Sequence, residues 1–118
     1  MASTTVIRIT ISVADLAKSR VLYETALGIP LKYEFPGMAM LVTSDGVEVQ
    51  LHERPPTPGD AGVAVSFGVE DVDAATVRAV AAGASVVKEP ADQAWGERQS
   101  VLRDVDGHVL CLVAALQE

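Results

Sequence analysis

Apolar and polar residues alternate along the first predicted strand, Val6–Val13. Every second residue from Ile7 onward is isoleucine or valine, and the residues between them are Arg8, Thr10 and Ser12. A period of two is typical of a strand that covers a core with one face. The alternation therefore predicts a strand whose polar side chains point away from the core.

The pattern changes to helical spacing after this strand. Asp15 stands where its carboxylate can accept a backbone N–H from the first turn of a helix. Apolar side chains then recur at helical spacing as far as Leu27, and Gly28 follows, as is common just beyond a helix end. We therefore predict a helix from Asp15 to about Leu27.

The same layout occurs twice in the chain. The segment "IRITISVADLAKS" from Ile7 matches "VAVSFGVEDVDAA" from Val63, with Asp71 at the position of Asp15. Each copy closes with an Asp-Gly turn and a final strand, "DGVEVQL" in the first and "DGHVLCL" in the second. Asp-Gly between alternating segments is a strong hairpin signal. The repeat predicts the element order βαβββ-βαβββ.

The length and the spacing of the two copies predict the domain organisation. At 118 residues the chain has the length of one compact domain, and its 49% hydrophobic content can supply a core. A proline-rich stretch, "RPPTPGDAG", separates the copies. We predict a single domain over residues 1–118, with a first module at about 5–54, a linker at about 54–62 and a second module at about 63–116.

Four equivalent strands carry polar or small side chains on the face opposite the predicted core. Such a face is either exposed to solvent or lines a concave pocket, and the small residues of the third strand favour a pocket. The side chains on this face are Arg8, Thr10 and Ser12; Glu48, Gln50 and His52; Ala64, Ser66 and Gly68; and Val109, Cys111 and Val113.

Charge and composition exclude two classes of partner. The formal net charge is −7 and no basic cluster is present, which disfavours nucleic acid because phosphate binding needs clustered lysine and arginine. The acidity instead favours cationic ligands, or solubility alone. No apolar run approaches the roughly 18 residues of a membrane span, and the first residues lack a secretion signal. We predict a cytoplasmic protein that binds neither nucleic acid nor membrane.

Several motifs, in order, resemble those of the vicinal oxygen chelate superfamily. The stretch "ISVADLAKSRVLYETALGIPL" is similar to its opening strand, "DL" and helix ending in "LG", and "RDVDGHVLCLV" is similar to its closing turn and strand. The superfamily includes glyoxalase I, extradiol dioxygenases and bleomycin-resistance proteins. The resemblance implies an α+β fold in which paired βαβββ modules form a curved, cup-like mixed sheet with helices on its outer face. It also implies a homodimer, because small members usually dimerise.

The resemblance marks four positions at which metalloenzymes of the superfamily place metal ligands. One is a histidine seven residues before each helix-capping aspartate, and another, typically a glutamate, precedes a leucine on each closing strand. Divalent metals of this kind prefer neutral imidazole and carboxylate, whereas arginine stays protonated and alanine offers no donor atom. We therefore predict no metal and no other cofactor. The four positions hold Arg8, Ala64, Gln50 and Cys111.

Arg8 is the leading candidate for contact with a ligand. It can act as a fixed cation that anchors a carboxylate, phosphate or enolate oxygen. Alternatively, it can pair with Glu48 across the strand face or lie exposed at the edge of the sheet. Gln50 and His52 can orient a ligand by hydrogen bonds, and His52 can transfer protons near neutral pH. For Gln50 and His52, the alternative is a solvated strand face.

Aromatic and thiol side chains complete the candidate set. Trp95, the single tryptophan, can form an aromatic wall beside a ligand or pack within its loop. Tyr33 and Phe35 alternate along one strand and can add a stacking surface. Cys111 fits a pocket-lining or buried thiol better than a nucleophile. The predicted ligand-binding residues are Arg8, Thr10, Gln50, His52, Ala64, Trp95 and Cys111, and the catalytic candidates are Arg8, Glu48 and His52.

Four functions stay open, and with them the question of whether the chain is an enzyme. The leading hypothesis is a metal-free protein similar to bleomycin-resistance proteins, which holds a small organic ligand in a dimeric cup without turnover. The second is a metal-independent isomerase, lyase or epimerase in which Arg8 stabilises an oxyanion and His52 or Glu48 transfers the proton. The others are a metal-dependent glyoxalase or dioxygenase, and a dimerisation or regulatory module whose cup is filled by side chains.

Overall fold

A computed structural model describes residues 5–59 and 62–116 of the chain. The chain divides between Pro56 and Thr57 into two compact units, which we call module 1 and module 2. Residues 1–4, 60, 61, 117 and 118, which the predicted domain and linker include, lie outside the described part. None of the helices in the described ranges has the length and apolar character to cross a membrane.

Module 1 contains one helical segment and one sheet. The helical segment begins as an α-helix, α1 (Leu16–Arg20), and continues as a π-helix over Val21–Ala26. The sheet has the order β1-β4-β3-β2, in which β1 is parallel to β4 and the other pairs are antiparallel. Its strands are β1 (Arg8–Val13), β2 (Leu31–Phe35), β3 (Met38–Val42) and β4 (Glu48–Glu53).

Module 2 repeats this arrangement with one α-helix, α2 (Val72–Ala81). Its mixed sheet has the order β5-β8-β7-β6, again with the first strand parallel to the last. Both modules have the order βαβββ, which confirms the predicted α+β fold of paired modules. The strands of module 2 are β5 (Val65–Gly68), β6 (Ser85–Asp92), β7 (Glu97–Arg103) and β8 (Val109–Ala115).

An aspartate begins the helical segment of each module, as predicted. Asp15 Oδ1 accepts a hydrogen bond from the backbone N–H of Lys18 at 3.1 Å, and Asp71 Oδ1 accepts one from Ala74 at 3.0 Å. The first N–H groups of a helix have no partner within the helix, so each carboxylate satisfies one of them. The same residue type thus begins both helices for the same reason.

The second half of the first helix departs from α-helical geometry. The backbone N–H of Leu27 donates to the carbonyl of Leu22, five residues back, at 2.9 Å. That spacing defines a π-helix, which usually occurs as a single turn within a longer helix. The predicted helix therefore has the expected extent, whereas the helical spacing used to predict it applies only as far as Arg20.

The Asp-Gly turns that close the modules share one geometry. Gly46 donates its N–H to the Thr43 carbonyl at 3.0 Å, and Gly107 donates to the Asp104 carbonyl at 3.0 Å. Both glycines have positive φ, 92° and 88°, a conformation that costs glycine little because it lacks a Cβ. The strands that follow these turns, β4 and β8, occupy equivalent central positions in their sheets.

The core of each module lies between its helix and its sheet. In module 1, α1 packs against β3 and β4, and Val49 and Leu51 are fully buried on that side. In module 2, α2 packs against the last three strands, and Leu110 and Leu112 are buried there. Since side chains alternate along a strand, burial of these residues places their neighbours on the opposite face.

Candidate functional site

The polar side chains predicted to share one face of module 1 do so. We call this the polar face and define it by Arg8, Thr10 and Ser12 of β1 and Glu48, Gln50 and His52 of β4. The parallel register sets Arg8 opposite Glu48, Thr10 opposite Gln50 and Ser12 opposite His52. The neighbouring strands extend these three rows with Val42 in the first, Met40 and Tyr33 in the second, and Met38 and Phe35 in the third.

The first row contains an ion cluster centred on Glu48. Arg8 donates to Glu48 Oε1 from Nε at 3.0 Å and from Nη2 at 2.6 Å, and Lys32 Nζ donates to Oε2 at 2.8 Å. The Glu48 side chain is 13% exposed, whereas Arg8 and Lys32 are 41% and 49% exposed. Two cations that face solvent therefore surround one shielded carboxylate, which leaves the cluster with one net positive charge.

The ion pair between Arg8 and Glu48 was one of the roles expected for Arg8. The pairing does not use every N–H donor of Arg8, because a guanidinium has five N–H groups and only Nε and Nη2 contact Glu48. Lys32 likewise carries further N–H groups beyond the one that reaches Glu48. Both cations can therefore donate to a ligand without giving up the carboxylate.

Sequence reasoning missed Lys32. Strict alternation in "LKYEF" places Lys32 on the face opposite Tyr33, away from Arg8. In the structure the pairing of β2 with β3 shifts between Leu31 and Tyr33, so Lys32 is an extra residue in β2. A bulge of this kind redirects a side chain locally. The only signal available from the sequence was a lysine within an otherwise alternating strand, which does not reveal a bulge.

The cluster shifts the pKa values of two of its members. Hydrogen bonds from Lys32 and then from Arg8 lower the pKa of the Glu48 carboxyl below its ordinary value of 4.5. The hydrogen bond to Glu48 in turn raises the pKa of the Lys32 ammonium. Glu48 thus stays ionised at a lower pH than an ordinary glutamate, which suits a structural counter-ion and makes it a weaker proton acceptor.

Acid is expected to remove the contribution of Glu48 to stability. The folded pKa lies below the unfolded value, so this contribution is present above pH 4.5 and is lost as the pH falls through the folded pKa. Urea unfolding between pH 7 and pH 3 should therefore show a gap between the native chain and Glu48→Gln that closes toward acid. Glu70→Gln, at an exposed carboxylate of module 2, controls for the loss of one charge. A gap of constant size would contradict the prediction.

Three polar side chains of the other two rows are also hydrogen-bonded. Thr10 Oγ1 donates to Gln50 Oε1 at 3.1 Å, and Arg54 Nε donates to Ser12 Oγ at 2.6 Å. Gln50 and His52 are half-buried. The middle of the face is therefore a pre-arranged set of hydrogen-bonding groups rather than a row of freely solvated side chains.

Aromatic side chains border the polar face on β2. The rings of Tyr33 and Phe35 meet edge to face, with centroids 5.7 Å apart and planes at 72°. Tyr33 is 39% exposed and Phe35 is 62% exposed, whereas Met40 beside Tyr33 is buried. An exposed aromatic pair on a surface that also carries cations offers both stacking and charge to a ligand.

The remaining predicted residues lie in module 2. Cys111 of β8 stands opposite Ser66 of β5 and Val101 of β7 and is half-buried. Ala64 immediately precedes β5, so it falls just outside the strand in which it was expected. Trp95 lies exposed in the turn between β6 and β7, where its indole N–H donates to Glu97 Oε1 at 2.8 Å. The structure thus brings together Arg8, Thr10, Glu48, Gln50 and His52, all within module 1.

Charge is distributed unevenly between the modules. Module 1 contains five basic and six acidic residues, whereas module 2 contains four basic and ten acidic residues. Nearly all of the net charge of −7 therefore belongs to module 2. The ion cluster of Arg8, Lys32 and Glu48 carries one net positive charge, so the overall acidity does not describe the field that a ligand would meet there.

The four positions marked by the superfamily resemblance do not fit a divalent metal. Arg8 is a cation, Ala64 has no donor atom, and the Gln50 amide oxygen accepts from Thr10. Within residues 5–59 and 62–116, no three histidine, cysteine, aspartate or glutamate side chains are grouped so that they could hold a metal ion. The charge of Arg8 repels a divalent ion, Ala64 cannot coordinate one, and the Cys111 thiol suits softer ions.

Comparison with family models supports the assignment suggested by the motifs. A model described as Glyoxalase/Bleomycin resistance protein/Dioxygenase superfamily matches residues 5–112. The match begins just before β1 and ends within β8, so it includes both modules.

Solved structures show the same fold. A glyoxalase-related enzyme from Fulvimarina pelagi has a TM-score of 0.81 at 21% identity, over 95% of this chain and 88% of that one. At that identity the likeness shows the fold alone. TioX from Micromonospora sp. ML1 has a TM-score of 0.72 at 27% identity, over 96% of this chain and 100% of that one.

Curated relatives match a shorter stretch. An uncharacterised protein of Mycobacterium bovis is 44% identical over 54 residues, which is 46% of this chain and 36% of that protein. A Mycobacterium tuberculosis protein matches at the same identity over 32% of its length. The matched stretch thus spans about a third of these relatives.

Proposed function

This chain belongs to the glyoxalase/bleomycin resistance protein/dioxygenase superfamily, and we propose that it acts there as a metal-free binding protein for a small organic ligand. The observation that carries the proposal is the chemistry of the polar face. The position of a metal-binding histidine holds Arg8, which is ion-paired to Glu48. A cation that cannot lose its proton is unsuited to a metal centre and well suited to contact a ligand.

The geometry supports binding by pre-arranged groups. Thr10 and Gln50 are hydrogen-bonded to each other, and Arg8 is held by two contacts to Glu48. Side chains that are already held lose less conformational entropy when a ligand arrives. Tyr33 and Phe35 add exposed aromatic surface beside them. Charge, hydrogen-bonding groups and aromatic rings on one face are the usual ingredients of a small-molecule site.

The two other parts of the proposal concern assembly and the residues of module 2. We propose that the protein works as a homodimer in the cytoplasm, as its resemblance to small superfamily members implies. Ala64, Trp95 and Cys111 of module 2 are proposed as further ligand-binding residues. Sedimentation of the purified protein gives the oligomeric state, and a monomer at working concentration would contradict the dimer.

A metal-independent enzyme is the alternative, and the polar face gives it less support. Arg8 is a reasonable anchor for an oxyanion. Glu48 is a poor proton acceptor, however, because Lys32 and Arg8 lower its pKa. His52 stands in the third row, opposite Ser12, rather than beside the Arg8 row. The lowered pKa of Glu48 therefore favours binding over proton transfer.

Titration with a broad ligand panel tests the proposal. The panel contains neutral, cationic and anionic organic compounds, and calorimetry reports binding while mass spectrometry of the recovered ligand reports turnover. We expect at least one compound to bind and to be recovered unchanged. Conversion of the bound compound would support the enzyme instead, and absence of binding across the panel would contradict the binding function.

A further inference from the structure

Exposed cations and exposed aromatic rings occur side by side on the polar face and the adjoining strand β2. Arg8 and Lys32 present cationic groups to solvent at the first row, and Tyr33 and Phe35 present aromatic rings at the second and third. Lys32 directly precedes Tyr33 in the chain, so charge and aromatic surface adjoin. Rows on one face of a sheet are separated by about 7 Å, since two residues of a strand span that distance.

We propose that the ligand of this face is an organic carboxylate that carries an aromatic ring. The inference rests on the proposed binding function and names the chemical class of its ligand. The ligand carboxylate would accept hydrogen bonds from Arg8 and Lys32, and the ligand ring would lie against Tyr33 and Phe35. A spacing of a few bonds between ring and carboxylate matches the row separation of about 7 Å.

The charge of the cluster selects a singly charged acid. Arg8 and Lys32 carry two positive charges, and Glu48 neutralises one of them. One net positive charge is balanced by a monoanion, whereas a doubly charged phosphate would leave an excess of negative charge beside Glu48. A cationic ligand would be repelled by the two exposed cations. The local charge therefore overrides the cationic preference suggested by the net charge of the chain.

The aromatic pair selects a ring rather than an alkyl chain. Tyr33 and Phe35 are already in edge-to-face contact, and the 62% exposure of Phe35 leaves a ring face available. A ligand ring can add to this pair in an offset or edge-to-face geometry without breaking it. An aliphatic acid would meet the same cations but would gain less from the rings.

Three probes separate these contributions. They are 4-phenylbutyrate, its primary amide 4-phenylbutyramide, which has the ring without the charge, and hexanoate, which has the charge without the ring. Two-dimensional ¹H–¹⁵N NMR titration reports both affinity and location. We expect 4-phenylbutyrate to bind about 10-fold more tightly than either analogue. The amide loses the charge-assisted hydrogen bonds, and hexanoate loses the ring contacts. The shifted amides should lie in β1, β2 and β4.

Variants distinguish ligand contact from a structural role. Lys32→Gln should weaken binding of 4-phenylbutyrate about 10-fold and leave 4-phenylbutyramide unaffected, whereas Lys18→Gln, on the exposed surface of α1, should change neither. Glu48→Gln should strengthen binding of the acid by about 3-fold or more, because it removes the competing negative charge. If Lys32 and Glu48 only supported the fold, both substitutions would weaken binding of the acid and of the amide alike.

The outcomes separate failure of the ligand class from failure of binding as such. Equal affinity of the acid and the amide, weaker acid binding by Glu48→Gln, or shifts confined to module 2 would overturn the inference. If neutral or cationic panel compounds bind the polar face and the aromatic acid does not, the ligand class is wrong and the binding function stands. If no compound of any charge binds, both are wrong.

Discussion

Replacing Leu51 or Leu112 with alanine is expected to lower the free energy of unfolding by about 3 kcal/mol in each case. Both leucines are fully buried. They occupy equivalent positions in the two copies of the repeat, in the central strands β4 and β8. Removing a buried leucine side chain loses the free energy of its transfer from water and leaves a cavity that the neighbouring helix and strands fill incompletely.

Equivalent positions should respond equally, since both lie under a helix that packs on the same side of its sheet. Denaturant unfolding followed by circular dichroism gives the change in free energy for each variant. Val77→Ala, at a side chain of α2 that is 69% exposed, is the control and should change stability by less than about 0.5 kcal/mol. A loss below about 1 kcal/mol at either leucine would show that the core is not packed as described.

Replacing Arg8 with glutamine is expected to weaken binding of an aromatic acid by about 10- to 100-fold. A hydrogen bond to a charged group contributes about 1.5–3 kcal/mol, which corresponds to that range. The substitution also lowers the net charge of the ion cluster from one positive charge to none. The effect on stability should be small, at most about 1 kcal/mol, because Arg8 is the exposed partner of the ion pair and Lys32 still pairs with Glu48.

The conservative variant separates charge from geometry at this position. Arg8→Lys retains the positive charge and loses the planar fork, so it should restore part of the affinity lost in Arg8→Gln. Lys18→Gln removes one positive charge elsewhere in module 1 and should bind as the native chain does. Equal affinity of Arg8→Gln and the native chain would remove Arg8 from the site.

Features that depend on short stretches of sequence were predictable. Asp15 and Asp71 cap their helices, and the Asp-Gly turns at Gly46 and Gly107 form as expected, because each depends on residues within one turn of the chain. The pairing of Arg8 with Glu48 was one of the alternatives for Arg8, because alternation places both residues on the polar face.

Irregularities in strand pairing and in helix geometry were not predictable. Lys32 reaches Glu48 because of an irregularity between β2 and β3, and alternation alone assigns it to the wrong face. The positive charge of the ion cluster was not predictable either, because it depends on the position of Lys32. The composition shows only that the whole chain is acidic. The π-helical turn after Arg20 likewise has no sequence signature that distinguishes it from the α-helix of the second copy.

The central claim is that ligand binding by this member of the superfamily requires no metal. Its most direct test is calorimetric titration of the same aromatic acid into the protein before and after treatment with a strong chelator, with elemental analysis of both samples. We predict the same dissociation constant in both, with no metal at stoichiometric level. Loss of binding after chelation, and its return when a divalent metal is added back, would contradict the claim.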